Sequence, residues 1–264
     1  MPQGMKAKDF ARLSAASLRR HKPPRLRDVD LTPKLGKHAY KKSKDELKSQ
    51  LVAAQLELKE RGLPVILVFE GWDAAGKGGA IHRLVNKVDP RSYIVHPISA
   101  PTQEEKDHHY LWRFWRALPG RGRIAVFDRS WYGRVLVERI EGFAKPDEWK
   151  RAYAEINDFE RLLALDGALI IKIFLHISKD EQKRRFDRRS ADPLKSWKLN
   201  QEDYRNRRKW GAYESAIDEM FARTHTHQAP WMVIAANDKR WARLAVQQAV
   251  LLCFTQALQA KKRS

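Results

Sequence analysis

Apolar positions along the chain recur in two rhythms. Across residues 42–61, Leu47, Leu51, Ala54 and Leu58 fall three or four apart, the spacing of one helix face. Pro64-Val65-Ile66-Leu67-Val68-Phe69-Glu70 is instead a nearly continuous apolar run, as in a strand buried on both faces. Shorter runs at 93–97, 123–128, 168–177 and 231–235 read as four more strands. Helical patterns fill the spaces between them, at 77–87, 102–118, 131–142, 147–165, 178–189, 200–223 and 238–260. Thr102-Gln103-Glu104-Glu105 and Ser178-Lys179-Asp180-Glu181 fit capping boxes that open two of these helices. Residues 190–199 contain Asp192-Pro193 and read as a loop. Five apolar strands separated by helices predict an α/β fold with a parallel, doubly wound sheet. Residues 1–21 are basic and loosely amphipathic through Phe10, Leu13 and Leu18, and 22–37 carry Pro23, Pro24, Pro33 and Gly36. The expected organisation is therefore a basic arm over residues 1–40 and a single domain over 41–264.

Charge changes this picture. Lys and Arg number 52 against 32 Asp and Glu, a net charge of +20 over 264 residues. Such an excess predicts an anionic partner and a salt-sensitive encounter with it. Nucleic acid, an acidic membrane surface and a phosphate polymer all qualify. The single cysteine, Cys253, excludes an internal disulfide and a thiolate metal cluster. The basic N-terminus lacks the apolar core of a signal peptide, and no apolar stretch is long enough to cross a membrane. A cytoplasmic protein with no membrane partner is the expectation.

The first strand runs into Gly71-Trp72-Asp73-Ala74-Ala75-Gly76-Lys77-Gly78, which satisfies G-x-x-x-x-G-K between a strand and a helix. Glycines there let the backbone curl so that the amides of Ala74, Ala75, Gly76 and Gly78 turn inward on phosphate oxygens. The following helix adds its positive end, and Lys77 bridges the reacting phosphates. The hydroxyl residue that ordinarily follows the lysine and ligates Mg²⁺ is Gly78 here, so a metal needs another oxygen. Asp73, inside the loop, either supplies it or serves as a turn aspartate.

The third strand ends at Phe127-Asp128-Arg129, and an apolar strand closing on Asp downstream of a P-loop predicts a carboxylate beside the metal. Arg129 is the best placed phosphate clamp, since guanidinium grips phosphate oxygens bidentately. Arg134 and Arg139 follow, each either a ligand or part of a solvated face. A basic helix and loop over about 179–205 is where a lid would sit. Arg185 and Arg189, one turn apart, are the pair for that role, with Lys195 and Lys198 behind them. Arg205 to Lys209 reads as a solvated basic face, and His108 and His109 lack a third metal ligand at suitable spacing.

These residues resemble a family. Phe69-Glu70-Gly71-Trp72-Asp73-Ala74-Ala75-Gly76-Lys77-Gly78-Gly79 resembles the phosphate loop of the second family of polyphosphate kinases. Ala100-Pro101-Thr102, Tyr110-Leu111-Trp112-Arg113, Phe127-Asp128-Arg129-Ser130-Trp131-Tyr132-Gly133-Arg134 and Glu138-Arg139 resemble its later motifs. The likeness covers about residues 40–255 and is strongest to the polyphosphate:AMP phosphotransferase branch, in which two such domains are often fused. The resemblance implies a thymidylate-kinase-like P-loop fold with a helical lid, and a homodimer or tetramer. It implies that Asp73 and Asp128 hold Mg²⁺ (or Mn²⁺), that Lys77 and Arg129 bind reacting phosphates, and that Arg189 is the lid arginine. The implied reaction moves a phosphoryl group between inorganic polyphosphate and a nucleoside mono- or diphosphate, AMP or ADP, with ATP as a nucleotide partner. Gly78 is shared with that family.

Two rival readings stand beside it. An ATP-dependent nucleotide kinase would share loop, acid and lid, but accounts for neither Gly78 nor the charge. A nucleic-acid-binding protein would use Trp112, Trp115, Trp131 and Trp210 to stack on bases. These tryptophans read better as core or groove residues, and no specific nucleic-acid signature is present.

Overall fold

The structure is a computed structural model that describes residues 22–86 and 88–260. The amphipathic reading of residues 1–21 lies outside the described residues, as does the end of the chain after Ala260.

Five strands form one parallel sheet: β1 (Val65–Gly71), β2 (Tyr93–Pro97), β3 (Ile124–Asp128), β4 (Leu169–His176) and β5 (Trp231–Ala235). Their order is β2-β3-β1-β4-β5. The most apolar run is thus the central strand, and Val65 to Phe69 are 0–1% exposed. Since β1 is flanked by β3 and β4, the chain changes direction across the sheet at its C-terminal end. That is where open α/β sheets leave a crevice.

Helices α1 (Lys37–Glu60), α2 (Lys77–Val85), α3 (Gln103–Lys106), α4 (Trp112–Trp115), α5 (Val137–Ile140) and α6 (Pro146–Leu165) occupy the first two thirds. After β4 come α7 (Lys179–Ser190), α8 (Gln201–Arg208), α9 (Trp210–Thr224) and α10 (Lys239–Ala260). The apolar spacing in α1 buries Leu47, Leu51 and Leu58, which join the core cluster together with residues of α10.

Three expected helices are broken. The capping box of Thr102 and Glu105 forms, but α3 lasts only one turn. Asp107 closes it by donating its N–H to the Gln103 carbonyl, and the His108 ring reaches the Glu104 carbonyl at 2.8 Å. The stretch 131–142 is a 3-10 turn, Trp131–Val135, followed by α5. The stretch 200–223 divides at Lys209 into α8 and α9. Residues 22–40 pack on the domain. Leu26 and Leu35 are buried, and their amides donate to Asp218 and Asp238. Helix α1 begins at Lys37, before the boundary expected at residue 41.

Candidate active site

The phosphate loop is shaped by backbone conformations that few residues tolerate. Gly71 ends β1 at φ 146°, and a Cβ there would lie 2.6 Å from the Leu175 carbonyl oxygen. Gly76 caps α2 at φ 108°, and Ala74, though not glycine, sits at φ 60°. Lys77 opens α2, and its Nζ donates to the Gly71 carbonyl at 2.7 Å across the loop. Trp72 packs flat on Trp210 with ring centroids 3.6 Å apart and donates through Nε1 to His176 Nδ1 at 2.9 Å. His176 is buried, which pulls its imidazole down to about 4 and keeps it neutral.

Parallel pairing brings the two acidic strand ends together. Phe69 on β1 is in register with Asp128 on β3. The Asp128 carboxylate faces the loop, since its Oδ2 would lie 3.7 Å from a Cβ at Gly78. Arg129, at φ 66°, donates its backbone N–H to the Phe69 carbonyl and its Nη2 to Asp73 Oδ1 at 3.3 Å. Asp73 Oδ2 accepts from Asn206 Nδ2 of α8 at 3.0 Å. Burial works against the Arg129 charge, but Asp73, Glu70, Asp128 and Asp203 outweigh it and hold the guanidinium above its ordinary value.

Four residues here carry no role in the sequence reading. Glu70 is buried, accepts from Ser130 Oγ at 2.8 Å, and is pushed up to about 7, chiefly by burial, against the pull of Lys77. A lone Glu closing an apolar strand is a visible signal of this kind. Asp203 in the first turn of α8 is raised by burial and by Asp73. Gln182 donates to the Asp73 carbonyl at 3.2 Å, and Asn206 holds the Asp73 carboxylate. Nothing in their charged helices distinguishes these two from their neighbours.

Asp73, Lys77, Asp128 and Arg129 converge on one crevice, and Arg189, half-buried on α7, is close enough to Asp203 to offset a small part of the rise that burial and Asp73 impose on that carboxyl. Three expected phosphate ligands lie elsewhere. Arg185 is 2% exposed behind the loop, with its guanidinium committed to protein acceptors. Arg134 pairs with Glu138 at 3.1 Å and covers the Tyr110 ring, drawn there by two acids and an aromatic face. Lys195 pairs with Asp192 in an exposed turn. Arg139 is held by Glu219 at 2.7 Å. Of the four tryptophans of the nucleic-acid reading, Trp131 and Trp210 are buried at 1% and 9% exposed, Trp112 is half-buried and Trp115 is exposed. His108 stacks on Trp112, and no three His, Cys, Asp or Glu converge as a metal cluster among the described residues.

A parallel sheet whose central strand feeds a glycine loop and a helix, with a carboxylate at the end of the neighbouring strand, defines a P-loop phosphotransferase fold. The sequence profile of Polyphosphate kinase 2 (PPK2) matches residues 34–262, and the chain belongs to that family. It is 51% identical over 210 residues to the polyphosphate:AMP phosphotransferase of Acinetobacter johnsonii, covering 79% of this chain and 44% of that protein. It is 47% identical over 228 residues to the polyphosphate:AMP phosphotransferase of Pseudomonas syringae pv. tomato, covering 84% of this chain and 46% of that protein. The chain thus spans just under half the length of these relatives. The crystal structure of polyphosphate kinase 2 from Arthrobacter aurescens TC1 superposes with a TM-score of 0.89 at 37% identity, covering 96% of this chain and 92% of that one.

Proposed function

We propose that this protein transfers a phosphoryl group between inorganic polyphosphate and a nucleoside mono- or diphosphate, with Mg²⁺ bound at the phosphate loop. The observation that carries the reading is the pairing of the Lys77 loop with an Asp128 carboxylate that accepts no hydrogen bond among the described residues and faces Gly78. Mg²⁺ takes one or two protein carboxylates and completes its shell with water and phosphate oxygens. Asp128, with Asp73 beside it, fits that demand. When bound, the ion would act as a Lewis acid and supply positive charge against the charge that builds during transfer.

The chain's own groups do the rest. The loop amides and the start of α2 orient the phosphate chain, and Lys77 leaves the Gly71 carbonyl to meet it. Arg129 releases Asp73 and turns its guanidinium on the transferred group. In-line transfer needs positioning and charge neutralisation, so no covalent enzyme intermediate is invoked.

The donor side supports a polyanion. A trough of about 690 Å³ next to α7 and the start of α10 is lined by Lys34, Arg184, Arg188, Lys239, Arg240 and Arg243, against two acids, Glu181 and Asp238. Burial, and then neighbouring arginines, lower the pKa of Lys239, as expected of cations awaiting an anion. Among the described residues, no aromatic side chain lines it to receive a base. Assembly as a homo-oligomer and a cytoplasmic setting belong to the same proposal. Phe143, Leu162 and Leu165 are three of the exposed apolar side chains among the described residues that assembly could cover. No helix among the described residues is long and apolar enough to cross a membrane.

The test is an acceptor screen with long-chain polyphosphate and Mg²⁺, free of ATP, against AMP, ADP, GMP and GDP. Turnover with at least one acceptor is expected, and Lys77→Ala and Asp128→Asn should each lower kcat/KM by about 10³-fold. No turnover with any acceptor, or near-normal turnover by Lys77→Ala, sinks the reading.

A further inference from the structure

Three consecutive carbonyls of the phosphate loop are gripped by one helix. Gln182 on α7 donates to the Asp73 carbonyl at 3.2 Å. Arg185, one turn along, donates from Nη1 to the Ala74 carbonyl at 2.9 Å and the Ala75 carbonyl at 2.7 Å. Its Nη2 donates to the carbonyls of Ala236 at 2.5 Å and Asn237 at 3.0 Å, just after β5. Its Nε donates to Glu181 Oε1 at 2.7 Å, which fixes the plane of the fork. A guanidinium has five N–H groups, and each has an acceptor here. The side chain is 2% exposed, so these bonds are shielded from water.

The consequence follows from peptide geometry. In a trans peptide the N–H points opposite to the C=O of the same plane, and the chain has no cis bonds among the described residues. Turning the Asp73 and Ala75 carbonyls toward α7 therefore turns the Ala74 and Gly76 amides toward the mouth of the loop. Neither amide donates a backbone hydrogen bond among the described residues, whereas the Ala75 amide is taken by the Trp72 carbonyl. Ala74 at φ 60° is a conformation that persists only where its surroundings impose it. The grip on the carbonyls either side of Ala74 imposes it.

We propose that Arg185, seated by Glu181 and assisted by Gln182, is a positioning residue that aims the loop amides at phosphate while touching no substrate. The proposal rests on the reading of the site given above. It makes the first half of α7 one body with the loop, so Arg189 rides on a fixed base. Lid movement is then confined to the segment after Ser190.

The test uses the full chain with Arg185→Lys and Gln182→Ala. Lysine keeps the charge but cannot supply a five-donor fork. Binding of magnesium pyrophosphate is measured by calorimetry, alongside kcat and the acceptor KM at saturating polyphosphate. Arg185→Lys should weaken pyrophosphate by about tenfold and lower kcat by about tenfold or more, because loop geometry governs both. The acceptor KM should move less than about threefold, a split that general loosening of the fold would not produce. Pyrophosphate affinity and kcat within twofold of wild type overturn the proposal, as does a change confined to thermal stability. Where Arg185→Lys does not fold, Gln182→Ala decides: about threefold weaker pyrophosphate supports the brace, and unchanged binding overturns it. A wild type that binds pyrophosphate but turns over no polyphosphate sinks the reading of the site and leaves this comparison intact. A wild type that binds no pyrophosphate overturns both.

Discussion

Glu70 and His176 place two buried titratable groups beside the phosphate loop with opposite responses to pH. Glu70 is raised from 4.5 to about 7 by burial, so its contribution to stability is full below pH 4.5 and is lost as pH climbs through 7. His176 is lowered from 6.5 to about 4 by burial, so its contribution is full above pH 6.5 and is lost as pH falls through 4. Each shift corresponds to roughly 3 kcal/mol at 1.36 kcal/mol per unit. The two trends oppose each other between pH 4.5 and 6.5. Relative to wild type, Glu70→Gln should make the melting temperature rise with pH over that window, and His176→Asn should make it fall. Parallel slopes in the two variants would refute the assignment. At this scale Lys77, Asp73, Asp128 and Arg129 were legible because motif and strand end name them. Arg185 was legible as a cation but not as a buried one: whether an arginine on a basic helix meets solvent or carbonyls depends on which face the fold covers.

Among the elements, β4 carries the least expected residue. Lys172 interrupts its apolar run and is 0% exposed. Its Nζ donates to Glu160 of α6 at 2.7 Å, to the Tyr132 hydroxyl at 2.8 Å and to the Thr224 carbonyl at 2.7 Å. Glu160 also accepts from Trp131 Nε1 at 3.1 Å. The network therefore pins the 3-10 turn that follows Arg129 and Ser130, and with it the direction in which Arg129 leaves the sheet. Lys172→Met strands a buried carboxylate and should cost about 3–5 kcal/mol in urea unfolding, whereas adding Glu160→Leu should recover part of it. A loss below about 1 kcal/mol for Lys172→Met would show that the ion pair contributes little. Strands and long helices were legible here because two-sided burial and a 3.6-residue period leave plain patterns. The expected helix over 102–118 failed because side chains of its own, His108 above all, satisfy the backbone in turns.

For the molecule as a whole, part of the net charge of +20 is concentrated in the trough beside α7 and α10. Binding there should follow counterion release, so the KM for long polyphosphate should rise by at least about tenfold between roughly 50 and 200 mM KCl. A KM indifferent to salt would mean that the charge serves another partner. The parallel doubly wound class was legible from the alternation of runs and helices. The strand order β2-β3-β1-β4-β5 was not, since it is settled by long-range pairing. It is this order that sets Asp128 against Gly78, where a methyl group would rest in ordinary contact 3.7 Å from the carboxylate oxygen. Packing thus raises no objection to a β-carbon at that position. Any pressure that retains glycine must act through fitness rather than foldability, and position 78 is where laboratory selection for a different phosphate donor could begin without first repairing the scaffold.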